Sequence, residues 1–283
     1  MRIIRVFPKR TSMTPKDDLA FIGYPPLWRP KADEVRISVA FTWDILEAER
    51  LKLAWEQYYP IVKVGGPAYG NPSDGFTPGL YIRHGVTFTS RGCNNQCPWC
   101  EVWKREGKLR EIEIHGGNVV QDNNLLQCSQ QHLNKVFAML SNQHSIQFTG
   151  GLDSRLVTSK IGDSIRALNL KQLFLACDTR EAIKPLRVAI KKLGLPRQKI
   201  RCYALLKFNP DETISDATER MQLIWEAGAM PMAQLFQPAN HWIEYSLDWK
   251  HFARTWSRPA AMKAWMKAEN EKKLMDIDFS DKL

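Results

Sequence analysis

Strands alternating with helices from Val86 onward predict an α/β protein on a parallel sheet, curled by right-handed crossovers into an open, partial (β/α)6, TIM-like barrel. Three observations support this class. Short apolar runs rich in β-branched residues recur six times. Helix-period segments separate most of them. Glycine or polar residues follow each run, where a chain turns.

The first residues read as a smaller α/β layer. Residues 3–7 and 35–41 alternate as strands do, and 44–58 reads as a helix with Leu46, Ala48, Leu51 and Trp55 close to one face. Residues 61–64 form a short buried strand, and Pro72, Gly75, Pro78 and Gly79 mark a joint. The strand over 86–89 then runs straight into a cysteine-rich loop. A second strand over 118–121 precedes a helix over 129–140, with Leu133, Val136, Phe137 and Leu140 inward. The third strand (145–148) is followed by a helix over 161–168. The fourth (172–176) is followed by a helix over 180–193 that Gly194 closes. The fifth (201–208) leads to a helix over 214–227 closed by Gly228, and 230–236 is the sixth. The expected segments are an N-terminal α/β extension (1–78), the barrel (79–239) and a Trp-rich helical tail (240–283). Trp242, Trp249, Trp256 and Trp265 stand in that tail among Arg254, Arg258, Lys263 and Lys267. Two readings fit it: a helix docked on the barrel, or a surface that stacks bases of single-stranded nucleic acid.

Apolar residues make up 44% of the 283 and charged residues 25%, the balance of a globular chain with a sizeable core. No apolar run approaches the ~20 residues of a membrane span, and the charged first seven residues do not resemble a secretory signal. The cytoplasm is the expected compartment, and no membrane is expected as a partner. The net charge of +10 favours a polyanionic partner. Lys184, Arg187, Lys191, Lys192, Arg197, Lys199, Arg201 and Lys207 concentrate it, either as a solvated helix face or as a nucleic-acid contact surface.

Three of the six cysteines fall within eight residues, Cys93-Asn94-Asn95-Gln96-Cys97-Pro98-Trp99-Cys100. Such clustering points to metal rather than disulfides. Three thiolates can hold three corners of a cubic iron–sulfur cluster and leave one iron open for a small molecule. The spacing also suits a zinc site completed by His84 or His115. Cys128, Cys177 and Cys202 are scattered and read as small buried hydrophobes. Polar residues gather after the strands: the cysteines, Asp122 to Asn124, Gly150 to Arg155, Asp178, Lys207 and Asn209, Gln234 and Gln237. In α/β barrels these strand ends form the active face. Each such polar residue also suits a helix cap.

Thr89-Ser90-Arg91-Gly92 leading into Cys93, Cys97 and Cys100, with Trp99 before the third cysteine, resembles the signature of the radical S-adenosylmethionine superfamily. The form with Ser-Arg-Gly is similar to the branch with an N-terminal cobalamin-binding-type domain and to methylthiotransferases. Lys63-Val64-Gly65-Gly66-Pro67-Ala68 resembles the last strand of that domain, so the likeness covers roughly residues 60–238. It implies that the three cysteines ligate a 4Fe–4S cluster and that S-adenosylmethionine binds the open iron. One electron then cleaves the cofactor to a 5′-deoxyadenosyl radical, which abstracts hydrogen from a substrate. It further implies a reducing partner such as flavodoxin or ferredoxin.

By the same resemblance, Trp99 flanks the adenine or lends its backbone to it, and Asp122, Asn123 and Asn124 meet the methionyl amino group. The usual Gly-Gly-Glu is absent there, with His115-Gly116-Gly117 coming earlier. Asp153 and Arg155 lie in a family-like segment, with Arg155 on the cofactor carboxylate. Asp178 meets the ribose, and Gln234 and Phe236 lie by the adenine. Lys207 and Trp242 are candidate substrate contacts. Residues 1–75 are short for a cobalamin module and contain no histidine, so cobalamin is not expected. No cysteine precedes Cys93, which disfavours the second cluster of methylthiotransferases. The expected activity is therefore hydrogen abstraction from a nucleic acid or modified nucleotide, with two alternatives. One is a peptide or small metabolite as substrate. The other is a non-catalytic, metal-stabilised nucleic-acid-binding protein.

Overall fold

The chain is an α/β protein with parallel sheets; the computed structural model describes residues 1–70 and 75–280. Pro72, expected in the joint, and residues 281–283 of the tail lie outside the described residues. Compactness divides the chain into two units. The first holds Met1–Gly151, Ala167–Lys171 and Pro238–Trp242; the second holds Leu152–Arg166, Gln172–Gln237 and the chain from Ile243.

In the first unit, β1 (Ile3–Phe7), β2 (Ala20–Ile22), β3 (Glu34–Ser38), α1 (Ile45–Glu56) and β4 (Val62–Gly65) build a four-stranded layer in the order β2-β1-β3-β4. Every pairing in it is parallel, with Ile4 beside Val35 and Ile37 beside Val64. Ile4, Val6, Val35 and Ile37 meet Ala48, Leu51 and Trp55 of α1 in one core. Leu46 does not join them and is 77% exposed. Two residues separate it from Ala48, which is about 200° of helix rotation. β4, expected as buried, is half-buried because it closes the edge of its sheet.

The expected strand over 86–89 is interrupted. β5 (Val86–Thr87) stops, and β6 (Ser90–Arg91) starts a separate antiparallel pair with β7 (Arg110–Glu111), beyond the short helix α2 (Val102–Arg105). β8 (Val119–Val120) lies parallel between β5 and the start of β9 (Ile146–Leu152), with α3 (Gln130–Ser141) before β9. Ser129 caps α3 by accepting the His132 N–H, and Leu133, Val136 and Leu140 are buried while Phe137 is half-buried.

The second unit holds α4 (Ser159–Arg166), then β10 (Leu170–Ala176) from Gln172 onward, α5 (Ile183–Leu193), β11 (Ile200–Leu206), α6 (Ile214–Glu226), β12 (Met230–Leu235), α7 (Leu247–Ser257) and α8 (Pro259–Ser280). β11 runs parallel between β10 and β12. Gly194 ends α5 in the left-handed region, and Thr213 with Asp216 forms a capping box on α6. The tail docks. Trp256 and Met262 are buried, Trp256 lies 4.9 Å from the Trp265 ring, and Ser257 donates to the Ala233 carbonyl of β12 at 3.0 Å. Of the two readings of the tail, packing accounts for Trp256.

Trp256→Ala is expected to cost about 3–5 kcal/mol of stability, the usual loss for a buried aromatic. Urea unfolding measures it, and an unchanged midpoint would show that α7 is not docked in solution.

Candidate functional site

The cysteine loop of the first unit contains few apolar side chains of its own, so distant residues shape it. The polar run that follows β8 does so at successive points. Asp122 is buried and takes three donors from the residue before β6 and the first residue of β6: the Thr89 N–H at 2.6 Å, the Thr89 hydroxyl at 2.5 Å and the Ser90 hydroxyl at 2.9 Å. The Asn123 side-chain oxygen, Oδ1, accepts the Gly92 N–H at 3.1 Å. The Asn124 amide donates to Cys93 Sγ at 3.7 Å. Gln127, which no motif singled out, accepts the Asn94 N–H at 2.8 Å and donates to Asn95 Oδ1 at 3.1 Å. Asn94 in turn accepts the Leu109 N–H at 3.0 Å.

Two glycines permit this approach. Gly92 has φ +78° and lies against the Lys108 carbonyl, with which a Cβ would collide. Gly150 of β9 lies against the Asp122 backbone, where a Cβ would overlap the carbonyl oxygen. The end of β9 and the Asp122 run therefore touch main chain to main chain.

Cys97-Pro98-Trp99-Cys100 is a β-turn, with the Cys100 N–H on the Cys97 carbonyl at 3.0 Å and proline at its second position. The Trp103 indole N–H reaches the same carbonyl at 3.1 Å. Cys93, Cys97, Trp99 and Cys100 are all half-buried, and all six cysteines are thiols rather than disulfides. Cys93 Sγ also accepts the Asn95 N–H at 3.4 Å. Hydrogen bonds to the ligating sulfurs are one of the means by which a protein tunes an iron–sulfur centre. Among the described residues no three His, Cys, Asp or Glu side chains converge on one point, so neither the three cysteines by themselves nor the cysteines with His84 or His115 form a ready-made cage. The fit to a cluster therefore rests on the donor chemistry. Three thiols share one loop, amide hydrogens point at Cys93, and one acceptor is unused: the Asn124 side-chain oxygen, buried, meets no donor among the described residues.

Burial pushes the Cys128 thiol up to about 11 and keeps it protonated near neutrality. It pushes the Cys202 thiol well up too, with Cys177 as neighbour. Both act as buried hydrophobes, as expected. Trp242, also in the first unit, is exposed and meets Trp43 edge-on at 5.4 Å, while Trp43 stacks on Phe41 at 4.7 Å.

The remaining expected site residues lie in the second unit. Asp153 caps a 3-10 turn (Ser154–Leu156) and grips the Arg155 guanidinium at 2.9 and 2.6 Å. The Asp178 carboxylate accepts the Leu205 N–H at 2.9 Å. Lys207 adopts φ +60° and donates to the Glu212 carbonyl at 3.2 Å, with its ammonium 5.5 Å from the Trp249 ring. Gln234 is exposed on β12, and the Phe236 carbonyl accepts the Tyr245 hydroxyl at 2.6 Å. Asp178 and Lys207 are linked through two residues that the motif reading missed. Arg220 donates to the carbonyls of Asp178 at 2.6 Å, Leu205 at 2.9 Å and Cys177 at 3.3 Å, and pairs with Glu212. Glu212 also accepts the Lys207 N–H at 2.6 Å. Arg220 occupies an inward position of α6 beside Ala217, Met221 and Ile224, so a cation at a core position of a helix pattern was the available signal.

No family model matches the chain, and no curated protein matches it significantly. Among the described residues no helix is long and apolar enough to cross a membrane.

Burial, outweighing the Thr89 and Ser90 hydrogen bonds, raises the pKa of Asp122 above the ordinary carboxylate value. The folded protein then holds that proton more tightly than the unfolded chain. The stability this contributes is complete below the ordinary value and is lost as pH rises through the folded one. Asp122→Asn removes the titration. Urea unfolding between pH 4 and 7 (on the order of the carboxylate range) is expected to show the wild type losing stability relative to the variant as pH rises. Parallel curves would refute this. Gly92→Ala, strained and in collision, is expected to cost more than about 1 kcal/mol by the same assay.

Proposed function

We propose that the chain is a radical S-adenosylmethionine enzyme. Cys93, Cys97 and Cys100 hold a 4Fe–4S cluster, which when bound supplies the reductive cleavage of S-adenosylmethionine to a hydrogen-abstracting 5′-deoxyadenosyl radical. The strands β5 and β8 to β12 are read as the staves of the expected partial (β/α)6 barrel. The observation that carries the reading is the grip of Asp122, Asn123, Asn124 and Gln127 on the cysteine loop, with one buried acceptor of Asn124 left over.

In this reading Asp122 positions rather than binds, since its oxygens are occupied by Thr89 and Ser90. Asn124 has both jobs. Its amide steadies Cys93, and its oxygen takes a hydrogen from the cofactor's amino group. An amino N–H would suit a buried orphan acceptor, because pairing removes the penalty of leaving it unsatisfied. Electrons come from a small reducing protein of the flavodoxin or ferredoxin type. The exposed charge of the chain favours an acidic one.

Anaerobic reconstitution is expected to load about four irons per chain, and S-adenosylmethionine with dithionite is expected to yield 5′-deoxyadenosine. Cys97→Ala abolishes the product while circular dichroism stays unchanged. A loaded wild-type protein that forms no 5′-deoxyadenosine would overturn the proposal. Asn124→Leu is expected to keep its iron but bind S-adenosylmethionine about tenfold more weakly, the cost of one hydrogen bond.

A further inference from the structure

A groove in the second unit, about 610 Å³, lies where the 3-10 turn before β11 (Arg197–Lys199), the end of α6 and the face of α8 meet. Its apolar lining comes from Trp225, Met230 and Met266, and its cations are Arg197, Lys263 and Lys267. Glu271 is the one acid among the described residues that line it, and Lys267 already pairs with it at 3.8 Å. Among the described residues neither Arg197 nor Lys263 forms an ion pair. Lys263 and Lys267 are one helical turn apart on α8, a like-charge spacing that weakens a helix. Such a repulsion is offset when an anion lies between the two ammonium groups.

The Arg197 guanidinium carbon lies over the Trp225 ring, 4.4 Å from its centroid, and the group is tied there by a hydrogen bond to the Trp225 carbonyl at 3.2 Å. A guanidinium plane on an indole is a preformed stacking surface for a nucleobase. The two lysines rise about 6 Å from one to the other along the helix, which suits successive phosphates of one strand. Exposed Lys184, Arg187 and Lys191 on α5 belong to the same basic stretch of sequence, whereas Lys192, Arg201 and Lys207 are spent on carbonyls inside the unit.

We infer that this groove binds single-stranded nucleic acid, with a base on the Arg197–Trp225 pair and phosphates on Lys263 and Lys267. As a substrate surface it rests on the radical reading above; as a binding surface it does not.

The test is fluorescence anisotropy of labelled oligouridylate and oligodeoxythymidylate 20-mers (about 20 nucleotides, longer than one stacking site) with the full chain, without reconstitution. Wild-type protein is expected to bind with salt-dependent affinity. Lys263→Glu with Lys267→Glu is expected to weaken binding at least about tenfold and to flatten the salt slope by about 1.4, or 0.7 per lost phosphate contact. Trp225→Leu is expected to weaken binding about fivefold or more with an unchanged slope. Arg197→Gln serves the same end should the leucine variant fail to fold. The inference is overturned if wild type does not bind, if the lysine variant binds as wild type does, or if poly-glutamate or inorganic phosphate competes as well as the strand. Because 5′-deoxyadenosine formation without substrate is scored separately, either proposal can fail while the other stands.

Discussion

One buried carboxylate fixes the geometry of the first unit. Asp122 takes three hydrogen bonds from two consecutive residues, at the point where one strand breaks and another starts in a different direction. A loop of asparagine, glutamine, proline and cysteine has little apolar surface with which to order itself, and ordering each residue costs about 1–2 kcal/mol. The run from Asp122 to Gln127 offsets that cost from outside by meeting the loop at Thr89, Ser90, Gly92, Cys93, Asn94 and Asn95. The β6–β7 pairing and the left-handed turn at Gly92 both hang on that grip.

The net charge of +10 is distributed less simply than its sum suggests. Several cations serve as internal struts. Arg5 donates to the carbonyls of Gly79 and Leu80, Arg201 to those of Pro231 and Ser257, and Lys192 to that of Val157. Among the cations that stay exposed in the second unit, Lys184, Arg187 and Lys191 lie on α5, Arg197 in the turn before β11, and Lys263 and Lys267 on α8.

Much of the fold was legible because its elements repeat a period. β10, β11 and α6 span enough residues for apolar spacing to declare them, and Gly194 and Gly228 mark helix ends by their own chemistry. The three-residue β2 and the two-residue β6 and β7 span too few residues to show any period, so only their partners define them. At the site, the cysteine spacing and Asp122 to Asn124 were legible as polar residues at a strand end, while their division of labour was not. Whether a carboxylate faces outward or inward depends on a 33-residue separation between Thr89 and Asp122 that local pattern does not encode. Gln127 and Glu212 carry no motif at all, and only the folded chain brings them to their partners.

Arg220 has a consequence for the second unit as a whole. Its hydrogens go to main-chain oxygens just past β10 and at the end of β11, and to Glu212 in the loop that follows. Both strands are thereby trimmed to a common level, as planks are cut against one stop. The loops beyond them set out from a level that a single side chain on a neighbouring helix fixes. A lysine has too few hydrogens and no plane with which to serve both strands.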